Sequence, residues 1–588
     1  MQIKYEKEEK EKHDSRKSGT YLKKVLFLGC GYVIITPHQH RPAFNDREGR
    51  EGAYEMILPV VKQTNRGVGA CVVPREITCS YIEEYGKLGA EALASFVAVS
   101  FRDGEAFLSF AIDDTLADRA EIYRLTVTER GIRVGYHDAR GAVNGAMSAV
   151  LLLRKQKLDV CEIIDYPDCA YRSFMLDMAR GLPKEGDMKN AIRYMALAKY
   201  NRLHLHLIDD KGPCYVSNVL PEYAFVGTGG QCDVSFLREL DALCASYAIE
   251  IVPEIEIPAH GTALCMAHPE FKCEVVDAHD WAICPGNDDI WPFFESLIGE
   301  IADIFPRSEY IHIGTDELEF ADLKPPRLCH WDDCPRCTAL REREGLADRQ
   351  AEFYYVVEKM HDIVKACGKK MMMWNDQIDV SRPVPLDRDI LIQFWRIAAP
   401  GRGPHEGCSL EGFLKLGFSV VNAYYPYTYC DVENYISAEK MKSWTPYSVP
   451  AQSPEYAAQI LGGESCAWEY GNFEEYPFYG YTTPAVIGMF GDKLWTVGER
   501  EHDDDYRRAL SAYIFGSEDM VGIFDVIGGL IPPRSSQKVT YADPSKLCEE
   551  RIRDLIARLD HNTLCAVSSD YIGLLNKILE LIQEKAGE

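Results

Sequence analysis

The stretch Tyr310-Ile-His-Ile-Gly-Thr-Asp-Glu317 decides how the rest of this 588-residue chain is interpreted. An apolar β-strand pattern runs into a histidine, a glycine and two adjacent carboxylates. Paired acids at the end of a buried strand are typical of acid/base chemistry, although a strand followed by an acidic turn gives the same pattern. Seven further segments with the same organisation favour the catalytic interpretation.

The sequence predicts eight β-strands that alternate with helices. The candidate strands are Phe174–Arg180, Arg202–Asp209, Ile249–Ile257, Tyr310–Glu317, Lys370–Asp376, Asp389–Arg396, Ser419–Tyr425 and Leu461–Glu469. The helical patterns between them are clearest at Asp187–Ala198, Phe236–Tyr247, Trp291–Phe305 and Arg349–Ala366. This order predicts a closed (β/α)8 TIM barrel. A doubly wound open sheet is the alternative, but no Gly-rich dinucleotide fingerprint follows an early strand.

The barrel is expected at residues 165–500, after a small α/β domain at 20–160 and before a helical C-terminal region at 503–588. In the small domain, Glu121–Val127 and Gly131–Tyr136 alternate as strands, and Ala142–Leu153 has an apolar helical pattern. The C-terminal helices can either pack against the barrel or form a homodimer contact.

The N-terminus contains a polar segment and an apolar segment. Residues 1–19 form a polar charge run that predicts disorder. The apolar run Val25–Thr36 is too short to span a bilayer. A first pair of strands is the preferred interpretation, and a signal core after a mis-assigned start is the alternative.

The composition indicates which partners and which cellular compartment to expect. Lys and Arg number 64 against 91 Asp and Glu, which gives a net charge of −27. Nucleic acid and membrane are therefore not expected as partners, because both require a basic surface. The 20 cysteines show no small-domain disulfide framework, which predicts reduced thiols and a cytoplasmic protein.

Catalytic residues of such barrels lie at the C-terminal ends of the strands. Carboxylates, two arginines and three tryptophans are predicted to meet there. In strand order the residues are Asp177 and Arg180; Asp209 and Asp210; Glu254, Glu256 and His260; Asp316 and Glu317; Trp374, Asn375 and Asp376; Trp395 and Arg396; Tyr424 and Tyr425; Trp468 and Glu469. Indoles that stack on a sugar ring and carboxylates that protonate a glycosidic oxygen indicate a carbohydrate substrate.

These residues resemble glycoside hydrolase family 20, the β-N-acetylhexosaminidases, over roughly 115–500. His312-Ile-Gly-Thr-Asp-Glu317 is similar to the family's His-x-Gly-Gly-Asp-Glu signature, with Thr315 in place of the second glycine. Further matches are Tyr171-Arg-Ser-Phe-Met-Leu-Asp-Met-Ala-Arg180, Lys199-Tyr-Asn-Arg-Leu-His-Leu-His-Leu-Ile-Asp-Asp210 and Val252-Pro-Glu-Ile-Glu-Ile-Pro-Ala-His260.

The resemblance implies a retaining mechanism in which the sugar's 2-acetamido oxygen attacks C1. It makes Glu317 the general acid and then base, Asp316 the acceptor of the acetamido N–H, and Tyr425 a donor to the acetamido oxygen. The other roles that it implies are support of Glu317 by Asp209 and His260, and substrate binding by Arg180, Trp374, Trp395, Trp468 and Glu469. No cofactor is implied.

Two positions depart from the family pattern. The family commonly has an acidic or amide residue two positions after the tyrosine of strand seven, where this chain has Tyr427. The family's Trp-x-Glu pattern of strand eight is replaced by Trp468-Glu469-Tyr470. Both differences concern recognition of the outer sugar hydroxyls.

The resemblance therefore predicts an exo-acting β-N-acetylhexosaminidase that removes terminal β-linked GlcNAc or GalNAc. Two alternatives remain open. One is a family-20 glycosidase of altered specificity, which releases a disaccharide or acts on charged sugars. The other is a carbohydrate-binding barrel without catalysis.

Two groups of residues offer metal ligands, although no metal is expected at either. Cys329, His330, Cys334 and Cys337 lie within nine residues and are either a zinc clip or a Cys-rich loop without metal. His204 and His206 alternate on strand two, which fits packing inside the barrel better than a metal pair.

Overall fold

The fold was analysed in a computed structural model. It describes residues 57–226, 230–276, 281–318, 327–397, 408–430, 441, 443–468, 479–498, 504–527, 530–531, 540–541, 547–562 and 568–586. The predicted disordered tail, the run Val25–Thr36 and Glu469 lie outside these residues. The described residues all belong to one compact unit, Glu55–Glu588.

The N-terminal part of this unit is a mixed sheet of seven strands covered by two helices. The strands are β1 Gln63–Val72, β2 Ile77–Tyr81, β3 Val99–Phe101, β4 Leu108–Ile112, β5 Tyr123–Thr128, β6 Gly131–Tyr136 and β7 Lys157–Asp165, in the spatial order β1-β7-β5-β6-β4-β2-β3. The helices are α1 Glu83–Ala94 and α2 Ala139–Leu153. Leu125 and Val127 are buried under α2, while Arg124 and Thr126, which alternate with them, are half-buried, as strand alternation requires.

Eight parallel strands then close into the predicted barrel. They are β8 Tyr171–Asp177, β9 Arg202–His206, β12 Glu250–Glu254, β13 Tyr310–His312, β14 Lys370–Trp374, β15 Leu391–Phe394, β16 Val420–Asn422 and β17 Ile460–Ala467, and a two-residue hairpin, β10 Ile208–Asp209 and β11 Gly212–Pro213, follows β9. The (β/α)8 fold class is thereby confirmed. Every barrel strand ends earlier than the sequence pattern had predicted. β13, for example, ends at His312 rather than at Glu317, so the carboxylate pair lies in the loop beyond.

Helices surround the barrel. Those described are α3 Glu185–Leu197, α4 Val234–Ser246, α5 Thr262–Ala267, α6 Ile290–Ile304, α7 Pro335–Glu344, α8 Arg349–Ala366, α9 Leu410–Lys415, α10 Tyr425–Thr428 and α11 Tyr479–Trp495. The apolar face of α6, which includes Phe294, Leu297 and Ile301, is buried against the barrel. Asp348 caps α8 by accepting the backbone N–H of Ala351 at 2.9 Å.

The C-terminal region packs against the barrel helix α3. It contains the helices α12 Asp504–Phe515, α13 Gly522–Ile527, α14 Glu549–Asp560 and α15 Ser568–Ala586. The hydroxyl of Tyr513 on α12 donates to the carbonyl of Tyr194 on α3 at 2.7 Å, and the Tyr194 hydroxyl donates to the Ile514 carbonyl at 3.0 Å. The region is not helical throughout, because a short hairpin pairs Leu530–Ile531 with Thr540–Tyr541. Among the described residues, none of the helices has the length and apolar character needed to cross a membrane.

Candidate active site

The carboxylate pair is carried by a turn with left-handed backbone at the end of β13. Gly314, Thr315 and Glu317 have φ of 64°, 85° and 55°. Such conformations cost free energy at non-glycine residues and are common at functional sites. They break the strand alternation that would direct Asp316 and Glu317 to opposite faces. Gly314 is also required for steric reasons, since a Cβ at this position would lie 1.8 Å from a carboxylate oxygen of Glu256.

Glu317 is held by its backbone and leaves its carboxylate accessible. Its N–H donates to Asp376 Oδ2 at 3.1 Å, and its carbonyl accepts the indole N–H of Trp281 at 2.9 Å. Its carboxylate lies 3.7 Å from His260 Nε2, and its side chain is 21% exposed. Burial raises the pKa of Glu317, with Asp376 acting in the same direction and His260 against it. A carboxyl group that keeps its proton at a pH closer to neutral is suited to proton donation.

Asp316 is buried beside it. Burial raises its pKa to about 7, and the nearby carboxylates of Glu317 and Asp376 act in the same direction against His260. One oxygen, Oδ2, lies 3.8 Å from His260 Nε2. The other oxygen, Oδ1, is buried and has no hydrogen-bond partner among the described residues. A buried acceptor of this kind is costly unless something else satisfies it.

Behind the pair lies a charged chain formed by His260, Asp209 and Arg180. His260 Nδ1 is 3.2 Å from Asp209 Oδ2, and Arg180 is 2.6 Å from the same oxygen. Burial opposes the charge on Asp209, but Arg180 and His260 hold its pKa well below the usual range. Burial likewise opposes the charge on His260, but Asp209 raises its pKa. The raised pKa favours the protonated form of His260, whose Nε2 lies within 4 Å of both carboxylates.

Beneath the site, the barrel interior contains a buried network of histidines and glutamates. Glu254 lies 2.5 Å from His206 Nδ1 and 2.9 Å from His312 Nδ1, and it accepts the indole N–H of Trp374 at 2.6 Å. His204 Nδ1 is 2.9 Å from Glu464. Because each of the three histidines is paired with a carboxylate, this arrangement supports the interpretation of His204 and His206 as barrel-interior residues.

Three tryptophans line one side of the site, as expected from the sequence. Trp374 lies at the base, with ring centroids 6.5 Å from Trp395 and 5.9 Å from Trp468. The Trp395 indole N–H donates to Asp376 Oδ1 at 3.0 Å, and the Arg180 guanidinium lies 5.0 Å from the Trp468 ring. Indoles that are fixed at steep angles to one another form a rigid pocket for an apolar group.

The tyrosine of this wall is Tyr429 rather than Tyr425. Tyr429 is buried and stacks on Trp395 with ring centroids 5.9 Å apart. Its backbone forms an isolated parallel β-bridge with that of Cys466 in β17. Burial raises the pKa of Tyr429. Cys466, Asp316 and Glu317, in that order, act in the same direction. Tyr425, at the start of α10, is 36% exposed and contacts the edge of this wall, with its ring centroid 6.2 Å from those of Trp395 and Tyr429.

Sequence reasoning missed Tyr429 because several tyrosines follow β16 in close succession, and strand spacing gives no direct guide to the course of a loop. One signal was available. In the sequence, Asp431 stands two positions after Tyr429, which is the spacing that the family shows after its strand-seven tyrosine. The departure at Tyr427 therefore disappears when Tyr429 is taken as the reference. Asp431 itself lies outside the described residues.

Asp376 was expected at this end of the barrel but was given no role from the sequence. It accepts N–H groups from Glu317, Trp395 and Gln377, and it pairs with Arg396 at 3.2 Å. It therefore joins the turn of the carboxylate pair to the tryptophan wall. Its position at the end of strand five was the signal in the sequence.

The cysteine motif is arranged differently from the zinc clip that was one of its two interpretations. Cys334 and Cys337 lie beside Cys273 and Cys284, which come from the loop after β12, and their sulfur atoms form one buried cluster. Cys329 and His330 do not belong to that cluster. The predicted ligand set is corrected accordingly, because the second pair of cysteines is distant in sequence and close only in the fold.

Known proteins show the same barrel. The profile of the glycosyl hydrolase family 20 catalytic domain matches residues 169–473. A β-hexosaminidase of Akkermansia muciniphila is 31% identical over 281 residues, which are 43% of this chain and 55% of that protein. A β-hexosaminidase of Porphyromonas gingivalis is 26% identical over 512 residues, or 78% of this chain and 62% of that protein. The chain thus spans little more than half of the length of these two curated relatives.

Solved structures agree in fold. The β-N-acetylhexosaminidase of Bacteroides fragilis superposes with a TM-score of 0.64 at 26% identity and covers 78% of this chain and 95% of its own. A Vibrio harveyi family-20 exo-β-N-acetylglucosaminidase, solved with N-acetylglucosamine, gives a TM-score of 0.64 at 22% identity over 79% of this chain and 78% of its own.

Proposed function

Because the chain belongs to glycosyl hydrolase family 20, we propose that it is an exo-acting β-N-acetylhexosaminidase that removes terminal β-linked GlcNAc or GalNAc. The substrate's 2-acetamido group is the nucleophile, and the configuration at C1 is retained. Family 20 is an exception to the usual scheme in which two enzyme carboxylates share acid and nucleophile roles.

The observation that carries this proposal is the buried oxygen Oδ1 of Asp316, which has no hydrogen-bond partner among the residues that the structure describes. A carboxylate oxygen of Asp316, one of Glu317 and a ring nitrogen of His260 all lie within 4.8 Å of one another. An inverting pair needs a separation of roughly 6.5–9.5 Å to admit a water molecule. A buried carboxylate this close to the acid is better suited to accept the N–H of an amide, which satisfies Oδ1 and leaves the amide oxygen free to attack.

In the first step, the amide oxygen attacks C1 and the bond from C1 to the leaving oxygen breaks. Glu317 transfers its proton to that oxygen, and its raised pKa keeps the proton available. The amide nitrogen gains positive charge as the oxazolinium ring forms, and Asp316 stabilises that charge through the N–H. Tyr429 is placed in the tryptophan wall beside the two carboxylates, where its hydroxyl can donate to the amide oxygen.

In the second step, ionised Glu317 takes a proton from water, and the water oxygen bonds to C1. The bond from C1 to the amide oxygen breaks, which restores the acetamido group and retains the configuration. His260, charged through its contact with Asp209, stabilises Glu317 while it is ionised. Trp374, Trp395 and Trp468 enclose the acetamido methyl, and Arg180 faces the sugar hydroxyls.

The proposal is tested by hydrolysis of p-nitrophenyl β-GlcNAc and p-nitrophenyl β-glucoside by the wild type, Glu317→Gln and Asp316→Asn. We expect the wild type to cleave only the N-acetyl sugar, and kcat/KM to fall about 10²- to 10⁴-fold in either variant. The matched control is Glu295→Gln, the same change at an exposed position of helix α6, which should retain wild-type kcat/KM. Equal cleavage of both sugars by the wild type would contradict participation of the acetamido group.

A further inference from the structure

Four cysteines that have no part in the proposed reaction form a buried cluster near the site. Cys273 and Cys284 come from the loop between β12 and α6, and Cys334 and Cys337 come from the start of α7. The sulfur atoms all lie within 4.8 Å of one another, and all four residues are buried. Each is a reduced thiol.

The spacing of the sulfur atoms is that of metal ligands. Cys284 Sγ is 3.6 Å from Cys334 Sγ and 3.5 Å from Cys337 Sγ. A disulfide would require about 2.05 Å. Four thiolates around Zn²⁺, at about 2.3 Å each, stand about 3.8 Å apart in a tetrahedron. The observed distances therefore fit a tetrahedral site.

The surrounding backbone is shaped for a compact thiolate site. Gly286, two residues after Cys284, lies against the backbone of Arg336 and Cys337, and a Cβ there would be 2.4 Å from the Arg336 carbonyl carbon. The N–H of Glu274 donates to Cys334 Sγ at 3.4 Å. Donors aimed at sulfur stabilise thiolates and orient them as ligands.

The ligand order also has the form of a structural zinc site. One pair is Cys334-x-x-Cys337, a knuckle at a helix start, and the other pair is about fifty residues upstream. We propose that Cys273, Cys284, Cys334 and Cys337 bind one Zn²⁺ ion, which cross-links the loop after β12 to the loop after β13. The ion has four protein ligands and no open position, so its role is structural.

The cross-linked loops are the ones that hold the catalytic acid. Trp281 lies between the ligands Cys273 and Cys284, and its indole N–H donates to the Glu317 carbonyl at 2.9 Å. Its ring centroid is 4.3 Å from that of His260. Zinc therefore fixes the residue that positions Glu317 and His260. This consequence, unlike zinc binding itself, rests on the proposed function.

The test begins with the metal content of the whole chain, purified under reducing conditions without chelator. Plasma mass spectrometry should find about one zinc per chain. The protein refolded with Co²⁺ should show the visible bands of tetrahedral cobalt together with thiolate charge-transfer absorption. Both measurements are independent of glycosidase activity, so loss of the proposed function would leave them unchanged.

Two variants complete the test. Cys284→Ser should lose most of the zinc, whereas Cys329→Ser, a buried cysteine outside the cluster, should retain it. Should Cys284→Ser fail to fold, titration of the wild-type thiols with an organomercurial reagent in the presence of a zinc indicator should release one zinc per four cluster thiols. The proposal is overturned by a wild type without stoichiometric metal, by iron in place of zinc, by a mass that shows disulfides among the four cysteines, or by equal zinc loss in Cys329→Ser.

Discussion

At the scale of single residues, the two adjacent carboxylates differ in what surrounds them. Glu317 is partly exposed and held through its backbone, whereas Asp316 is buried with one oxygen unsatisfied among the described residues. The same positive charge at His260 lies within 4 Å of both. In the proposed mechanism, these surroundings rather than the residue type give proton transfer to the exposed acid and amide binding to the buried one.

Tyr429 is expected to be the hydroxyl donor of the pocket. Tyr429→Phe retains the ring that stacks on Trp395 but removes the donor, so kcat should fall about 10- to 100-fold with little change in KM. Tyr425→Phe removes a hydroxyl from a 36% exposed side chain and serves as the control, with kcat within about twofold of the wild type. The reverse ranking would restore Tyr425 to the role that the sequence first gave it.

Asp376 is expected to set the basic limb of the pH–activity profile. In the proposed mechanism, activity requires protonated Glu317 and should fall as the pH rises through the raised pKa of that residue. Asp376 is one of the groups that raise it, after burial. In Asp376→Asn the basic limb of kcat/KM should therefore move to lower pH.

The matched control for that shift is Asp379→Asn, a buried aspartate three residues further along the same loop. Its basic limb should remain at the wild-type pH. A limb that moves upward in Asp376→Asn, or that stays in place, would show that the Asp376 charge does not act on Glu317.

At the scale of elements, the barrel strands determine where the site is and the loops determine what it does. β13 supplies only three residues, and the turn after it carries both carboxylates. The loop after β12 supplies His260 and Trp281, and the loop after β14 supplies Asp376. Three consecutive loops therefore hold Glu317, and a change in any one of them should affect the position of Glu317.

Trp281→Phe tests this coupling between loops. The substitution keeps an aromatic ring against His260 and removes the N–H that donates to the Glu317 carbonyl. The loss of one hydrogen bond of about 1–2 kcal/mol should lower kcat about 5- to 30-fold. Trp291→Phe, on α6, is the control and should retain wild-type kcat. Zinc content should be equal in all three proteins, and an unchanged kcat in Trp281→Phe would argue against the coupling.

The periodicity of apolar residues explains how well the bounds of these helices and strands could be predicted from the sequence. The helices α4, α6 and α8 were expected within two residues of their observed bounds, because an apolar face repeats along each of them. The starts of the barrel strands were also apparent. Their ends were not, since the extended pattern of β13 runs without interruption into a turn of positive φ that no propensity signals.

The residues of the candidate site were likewise predicted only in part. Residues at a strand end or a few positions beyond it, such as Trp374, Asp316 and Glu317, could be located from strand order alone. Tyr429 lies seven residues beyond the end of β16, and the cysteines of the cluster are brought together from two loops. Contacts of this kind depend on the path of the loops in space, which the sequence pattern does not encode.

At the scale of the whole molecule, buried ion pairs join the N-terminal sheet to the barrel. Asp165, at the end of β7, lies 2.9 Å from the ammonium of Lys199 and accepts the indole N–H of Trp495 at 2.9 Å. Arg172 of β8 pairs with Glu121 and donates to the Lys199 carbonyl at 2.8 Å. Removal of one partner would leave a buried charge unpaired, so the two parts are expected to unfold together.

The histidine–glutamate network inside the barrel makes the stability of the whole molecule depend on pH. Burial opposes the charge on His204 and His206, but Glu464 and Glu254 raise the pKa of His204 to about 9, and Glu254 raises that of His206 to about 10. In the unfolded chain both pKa values return to about 6.5. A raised folded-state pKa stabilises the protein fully below about pH 6.5, and this contribution is lost as the pH rises towards 9 and 10.

Glu464→Gln isolates that contribution from the other groups that titrate in the same range. Glu464 is the carboxylate that most raises the pKa of His204, so the variant should be less stable than the wild type at pH 7 by roughly 1 kcal/mol or more. The difference should shrink as the pH approaches about 9, because His204 is then losing its proton in the wild type as well. Denaturant unfolding of both proteins at several pH values measures it. A difference that is constant or grows with pH would mean that Glu464 stabilises the barrel through hydrogen bonds alone, independently of the charge on His204.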